Sequence, residues 1–307
     1  MEKVIVVIGP TSVGKTKMGV ALAKKFNGEV ISGDSMQIYK QMDIGTAKVT
    51  EEEKEGIIHH CVDILNPDET YSVHDFQQTV RKKITEITQR GHVPIIVGGT
   101  GLYIKAALYD YQFDEMENDH HAINEKYKDY TNEQLHDHLK SIDEESAKTL
   151  HFNNRRRILR AIEIYETTGK RKSEMLEEQE HICLYDAYFV GLTLPRDVLY
   201  ERINKRVDVM MKNGLKEEMD QLYSQGLTRN HQSMKAIGYK EWFDYYDHQI
   251  DLNDVLELIK KHSRQYAKRQ YTWFKNQFDV HWYDVNLENF KQTIEQVTDD
   301  IEKILKV

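Results

Sequence analysis

Apolar residues follow two distinct patterns along this chain. Val4-Ile5-Val6-Val7-Ile8, Glu29-Val30-Ile31-Ser32 and Pro94-Ile95-Ile96-Val97 are short runs without alternation, as expected for parallel strands buried on both faces. A fourth run, Tyr188 to Leu194, comes after a long gap, and Asp279 to Tyr283 reads as one last strand. Between the early runs, apolar residues recur at three-to-four spacing over Lys17–Phe26 and Val73–Arg90, which predicts amphipathic helices. Strands and helices alternating through short glycine-bearing turns predict an α/β fold, a parallel sheet flanked by helices.

From about Phe113 to Ile182 the aliphatic runs vanish. The segment is charged, and Thr131-Asn132-Glu133-Gln134 has the form of a capping box. An inserted helical subdomain over residues 113–183 is therefore expected, leaving a discontinuous core of 1–112 and 184–307.

Composition narrows the class. Of 307 residues, 30% are charged and 39% hydrophobic, a soluble globular balance. No apolar run approaches the roughly 18 to 20 residues that span a bilayer, and the N-terminus lacks the pattern of a signal peptide. Cys61 and Cys183 stand far apart and form no CxxC pair, consistent with a reducing cytoplasm. The net charge of −9 argues against a generic nucleic-acid coat protein, so any RNA must be met by local basic patches.

Gly9-Pro10-Thr11-Ser12-Val13-Gly14-Lys15-Thr16 matches the phosphate-binding pattern G-x-x-x-x-G-K-[ST], which arises by chance in about one chain of this length in a hundred. It follows a strand and opens a helix, as its mechanism requires. The glycines let backbone N–H groups turn toward phosphate oxygens, the helix N-terminus adds its dipole, Lys15 adds a charge, and the Thr16 hydroxyl can ligate Mg²⁺. The sheet is thus P-loop-like.

Ligands of open α/β sheets gather at the carboxyl ends of the strands. Two further loops lie at such ends: Ser32-Gly33-Asp34-Ser35-Met36-Gln37-Ile38-Tyr39, with a carboxylate just after the second strand, and Gly98-Gly99-Thr100-Gly101-Leu102-Tyr103 after the third. Val97 runs into Gly98 with no carboxylate, so the second Mg²⁺ anchor usual in P-loop NTPases is missing. That leaves room for a transferase in which pyrophosphate is the leaving group.

Two stretches concentrate positive charge. Arg155, Arg156, Arg157, Arg160, Lys170, Arg171 and Lys172 face only Glu163 and Glu166, and Lys260 to Lys275 holds six bases and no acid. On a helical wheel, Lys260, Lys261, Arg264, Lys268 and Lys275 fall within about 100° of arc, with Ile259, Tyr266 and Trp273 roughly opposite. A cationic stripe backed by an apolar face suits RNA phosphates. The pairs His59-His60 and His120-His121 are read as structural or surface residues, since neighbours on a strand point to opposite faces.

Taken together, the motifs resemble those of the tRNA dimethylallyltransferase (tRNA isopentenyltransferase) family. The resemblance rests on the P-loop, Asp34-Ser35-x-Gln37-x-Tyr39, Asp43-Ile44-Gly45-Thr46-Ala47-Lys48, Gly98 to Tyr103, Arg157-x-x-Arg160-Ala161-Ile162-Glu163, Ala236-Ile237-Gly238-Tyr239-Lys240-Glu241 and Ala267-Lys268-Arg269-Gln270. Small departures are Ser12 for alanine, Glu144 and Phe152 for prolines, and Cys61 for an aliphatic residue.

The resemblance implies an enzyme moving a dimethylallyl group from dimethylallyl diphosphate to N6 of the adenosine 3′ of the anticodon; apart from it, a cytoplasmic location and a monomer are expected. Asp34 would be the general base, and Thr100 would contact the substrate base. Lys15 and a Thr16-bound Mg²⁺ would neutralise the diphosphate, with Arg202 or, by preference, Arg206 reaching the leaving group. Ser35, Met36, Gln37, Arg157 and Arg160, with Lys261, Arg264 and Lys268 of the stripe, would bind the tRNA anticodon stem-loop. The alternatives are a P-loop small-molecule kinase or NTPase, an RNA-binding protein with a nucleotide switch, and prenylation of free adenine nucleotides.

Overall fold

The computed structural model describes residues 1–111, 120–177 and 181–305; the expected junction at residues 112–113 lies outside them. Its first elements are β1 (Lys3–Ile8), α1 (Lys15–Lys25), β2 (Gly28–Ser32), α2 (Glu51–Lys54), β3 (His59–His60), α3 (Val73–Gln89), β4 (Val93–Val97) and α4 (Gly101–Leu108). Helices α5 (His120–Lys126), α6 (Asn132–Ile142), α7 (Glu144–Thr149), α8 (Arg155–Thr168) and α9 (Lys172–Glu177) follow. The chain then returns through β5 (Asp186–Thr193), α10 (Arg196–Lys212), α11 (Leu215–Ser224), α12 (Trp242–Tyr246), α13 (Leu252–Gln277), β6 (His281–Asp284) and α14 (Phe290–Leu305).

One six-stranded sheet has the order β3-β2-β4-β1-β5-β6, and every pairing in it is parallel. Val6 of the central β1 is in register with Ile96 on one side and Phe189 on the other. Val4, Val6 and Ile8 pack with Phe76, Ile104 and Trp242, whereas Ile5 and Val7 pack with Met18, Leu22 and Ile203 on the opposite face. Both faces are covered by helices, so β1 is apolar at every position rather than alternating. Each such buried side chain contributes about 1.5–3 kcal/mol.

Several expected bounds shift; the fourth strand, expected over Tyr188–Leu194, runs over Asp186–Thr193. The first helix starts at Lys15 rather than Lys17, because Gly14 caps it in the left-handed region at φ 108°. The last strand is His281–Asp284 rather than 279–283. The two-residue edge strand β3 is too short for periodicity to reveal.

The chain divides into two compact units, Met1–Tyr109 with Cys183–Val307, and Asp110–Ile182. The second is helical, and Leu135, Leu139, Ile158 and Ile162 form its core. Thr131 closes a capping box on α6: its Oγ1 accepts from Gln134 N at 3.2 Å, and Gln134 Oε1 accepts from Thr131 N at 2.8 Å.

Candidate active site

Because all strands run the same way, the loops that follow β1, β2 and β4 open on one edge of the sheet. The first of them turns tightly. Gly14 allows the left-handed turn, and a Cβ there would stand 2.8 Å from the Phe290 ring. Lys15 Nζ donates to the carbonyls of Gly9 (3.1 Å) and Pro10 (2.8 Å). Arg202 Nε donates to Ser12 O at 3.0 Å, tying α10 to the same loop. A cavity of about 380 Å³ is lined by Thr11 through Lys17 together with Arg202, Arg206, Gln37 and Phe290. Dehydration in this cleft, then the nearby Arg206 charge, lowers the Lys15 pKa to about 8, while Asp34 partly opposes the shift.

The other two loops are stitched together. Asp34 Oδ1 accepts from Met36 N at 2.8 Å. Ser35 N donates to Thr100 Oγ1 at 3.1 Å, Thr100 Oγ1 donates to Ser35 Oγ at 3.3 Å, and Thr100 N donates to Gly33 O at 3.1 Å. Thr100 therefore holds the Asp34 loop against the start of α4. Burial raises the Asp34 pKa above the ordinary carboxylate value, and the Met36 N–H and the Lys15 charge hold part of that rise back.

A second cavity of about 340 Å³ is lined by Asp34, Ser35 and Met36, by the apolar Ile203, Met210 and Ile259, and by Tyr266. The two cavities share Thr11, Ser12, Asp34, Thr46, Ala47 and Arg206. A carboxylate and a guanidinium thus stand where the cavity lined by Thr11 to Lys17 meets a second one, walled partly by apolar side chains and partly by Lys235, Lys240 and Arg269. Among the described residues Arg206 has no side-chain hydrogen-bond partner, in contrast to Arg202, whose Nε is taken by Ser12 O.

Several neighbours escape sequence reasoning. Tyr266, placed by the helical wheel on an apolar face, lines the second cavity and donates from its hydroxyl to Gly99 O at 3.3 Å. Burial, then the Asp34 charge, pushes its pKa up to about 12. Gln270, one helical turn further on, accepts from Thr11 N at 2.9 Å and donates to Gly99 O at 3.0 Å. A side chain at Gly99 would collide with it, since a Cβ there would lie 2.2 Å from Gln270 Nε2. The signal available in the sequence was a buried-face glutamine and tyrosine within a cationic helix.

The basic stretches are only partly free. On α13, Lys260 is paired with Asp208 and Glu257, and Arg264 donates to Asn204 Oδ1 of α10, whereas Lys261 and Lys268 are exposed. In the helical unit Arg155 donates to the carbonyls of Tyr127 and Tyr130, and Arg160 pairs with the buried Glu163 at 2.8 Å. Arg157 is exposed, and its charge, with that of Arg160, adds to dehydration in lowering the Lys172 pKa. Gln37 is tied inward: its Nε2 donates to Ala47 O at 3.2 Å, and its Oε1 accepts from Ser32 Oγ at 3.2 Å.

The family model described as IPP transferase matches residues 37–277. A tRNA dimethylallyltransferase of Bacillus cereus is 54% identical over 287 residues, which are 92% of this chain and 90% of that one. The crystal structure of a tRNA delta(2)-isopentenylpyrophosphate transferase from Staphylococcus epidermidis is 47% identical over 99% of both chains, with a TM-score of 0.74. A eukaryotic dimethylallyltransferase acting on tRNA is 32% identical, with a TM-score of 0.85 over 99% of this chain and 79% of that one. The chain belongs to the IPP transferase family, whose relatives here are tRNA dimethylallyltransferases.

Proposed function

We propose that this protein transfers a dimethylallyl group from dimethylallyl diphosphate to N6 of the adenosine immediately 3′ of the anticodon in tRNA. The observation that carries the reading is the junction of the two cavities at Asp34 and Arg206. One cavity is lined by the glycine-bearing loop Thr11 to Lys17, and the other sets Ile203, Met210, Ile259 and Tyr266, which suit a base and a prenyl group, beside the cations Lys235, Lys240 and Arg269. The adenine amine's lone pair is delocalised into its ring, so attack on the donor's C1 leaves a cationic, acidic nitrogen. Asp34 accepts the N6 proton as the new C–N bond forms and the C–O bond to diphosphate breaks. Lys15, Arg206 and the loop N–H groups neutralise charge growing on the departing diphosphate. Thr100 acts by fixing the Asp34 loop next to the substrate base.

Magnesium fits this donor set. No cluster of three or more His, Cys, Asp or Glu able to hold a metal occurs among the described residues. Mg²⁺, however, is commonly held by very few protein oxygens together with substrate phosphates. The Thr16 hydroxyl would be its protein ligand, and the ion would add positive charge beside the leaving group.

The adenine is stacked in an anticodon loop and must be extruded to reach Asp34, with Ser35, Met36 and Gln37 lining its path. Arg157 and Arg160 of the helical unit, and Lys261, Arg264 and Lys268 of α13, are assigned to the RNA backbone. The enzyme would act as a cytoplasmic monomer; no described helix is long and apolar enough to cross a membrane. Incubation of the protein with an unmodified anticodon stem-loop and dimethylallyl diphosphate should give one prenyl adduct, mapped by mass spectrometry to that adenosine. An adduct on free adenosine monophosphate but none on RNA would replace this reading with nucleotide prenylation.

A further inference from the structure

The segments Asp43–Lys48 and Ala236–Glu241 both border the second cavity, and they meet at one carboxylate. Glu218 of α11 accepts three consecutive backbone N–H groups, from Asp43 at 2.8 Å, Ile44 at 2.7 Å and Gly45 at 3.0 Å. Its Oε1 also accepts from Tyr239 OH at 2.7 Å. Tyr239 is fully buried, and its ring lies so close to Gly45 that a Cβ there would be 2.5 Å from Cζ. A run of amides converging on an anion is a strong local restraint, because hydrogen bonds to a charged acceptor are about twice as strong as neutral ones.

The restraint reaches the junction of the cavities. Thr46 and Ala47, next along the loop, line both of them. The Ala47 carbonyl holds the Gln37 amide at 3.2 Å, and Gln37 lies three residues beyond Asp34 in the same loop. Lys48 closes the far end of the segment, its buried ammonium donating to Tyr39 O at 2.7 Å and Asp43 Oδ1 at 2.6 Å.

We infer that Glu218 and Tyr239 are positioning residues for the transfer, touching no substrate themselves. They hold the Asp43–Ala47 loop as the wall shared by both cavities and, through Gln37, fix the loop that carries Asp34. Neither Glu218 nor Tyr239 lines either cavity, so their loss should act through the placement of the Asp34 loop, on the transfer step more than on binding. The inference rests on the proposed prenyl transfer.

The test uses the full-length enzyme in single-turnover reactions with saturating donor and tRNA, normalised to folded protein. Glu218→Gln, which puts an amide among three N–H donors, should slow the step about 10- to 100-fold, the scale of a misplacement near 1 Å. Tyr239→Phe, which keeps the ring, should slow it less. Donor KM and tRNA affinity should stay within about threefold, under 1 kcal/mol. Gln37→Ala combined with Glu218→Gln should cost less than the sum of the two, as expected for groups in one chain of contacts. Acetate should partly restore Glu218→Ala, whereas chloride at equal ionic strength should not. Wild-type rates in both Tyr239→Phe and Glu218→Gln, or losses confined to KM or to the folded fraction, would overturn the inference while leaving prenyl transfer intact. A wild-type enzyme that makes no adduct would take both readings down.

Discussion

At Lys15 the surroundings oppose the charge that the proposed diphosphate donor would need. Among the described residues its ammonium donates only to the backbone carbonyls of Gly9 and Pro10, and its pKa falls to about 8 through dehydration and the Arg206 charge. A lysine with a lowered folded pKa loses its charge as pH rises through that value. kcat/KM for the donor, which reports the free enzyme, should therefore decline above about pH 8. The alkaline limb of kcat should lie higher, because bound diphosphate stabilises the charged form. A donor kcat/KM that is flat to about pH 10 would contradict this. Lys15→Ala and Thr16→Ala should worsen donor KM or kcat while tRNA affinity in a gel shift changes less than about threefold. Lys15 and Asp34 were legible in the sequence because their spacing from glycines and strand ends is itself the signal. Tyr266, Gln270 and Glu218 were not, because each is a single polar residue on an amphipathic helix. Their partners Gly99 and the Asp43–Gly45 loop lie 167 to 175 positions away along the chain, a pairing no local pattern encodes.

The helix α13 presents different chemistry on its two faces. Its inner face holds the loop after β1: replacing Gln270 by Leu would leave Thr11 N–H without its partner, at a cost of about 1–3 kcal/mol. Thermal denaturation should then show Tm lowered by about 2–4 °C per kcal/mol, with donor KM raised. An unchanged Tm and KM would mean water replaces the glutamine without cost. Its outer face is narrower than the wheel suggests. Lys260 is neutralised by Asp208 and Glu257 and Arg264 is held by Asn204, because α13 packs against α10. Lys261→Gln with Lys268→Gln should flatten the salt dependence of tRNA binding by about 0.7 to 0.9 for each phosphate no longer neutralised. Arg264→Gln alone should flatten it less and lower stability more. If the double variant leaves the slope unchanged, the face is ordinary solvated surface.

Across the whole molecule, the parallel sheet converts distant motifs into one site. β1, β2 and β4 lie in the order β2-β4-β1, so the loops carrying Lys15, Asp34 and Thr100 emerge side by side although they are far apart along the chain. The strand-and-helix rhythm makes that architecture legible in the sequence. It could not place β3, whose two residues carry no periodicity, nor the C-terminal Phe290, which closes over Gly14 from the last helix. What the architecture brings together is a carboxylate, Asp34, where two cavities meet, the proposed diphosphate space and the proposed space for base and prenyl group. The most direct measurement is the single-turnover rate of Asp34→Asn with saturating tRNA and dimethylallyl diphosphate. The substitution keeps the shape and the bond from Met36 N–H while removing the proton acceptor. The rate should fall by about 10² to 10⁴, the range for a positioned base, with binding of both substrates little changed. A near-normal rate would make Asp34 a turn residue and contradict the assignment of base to this junction.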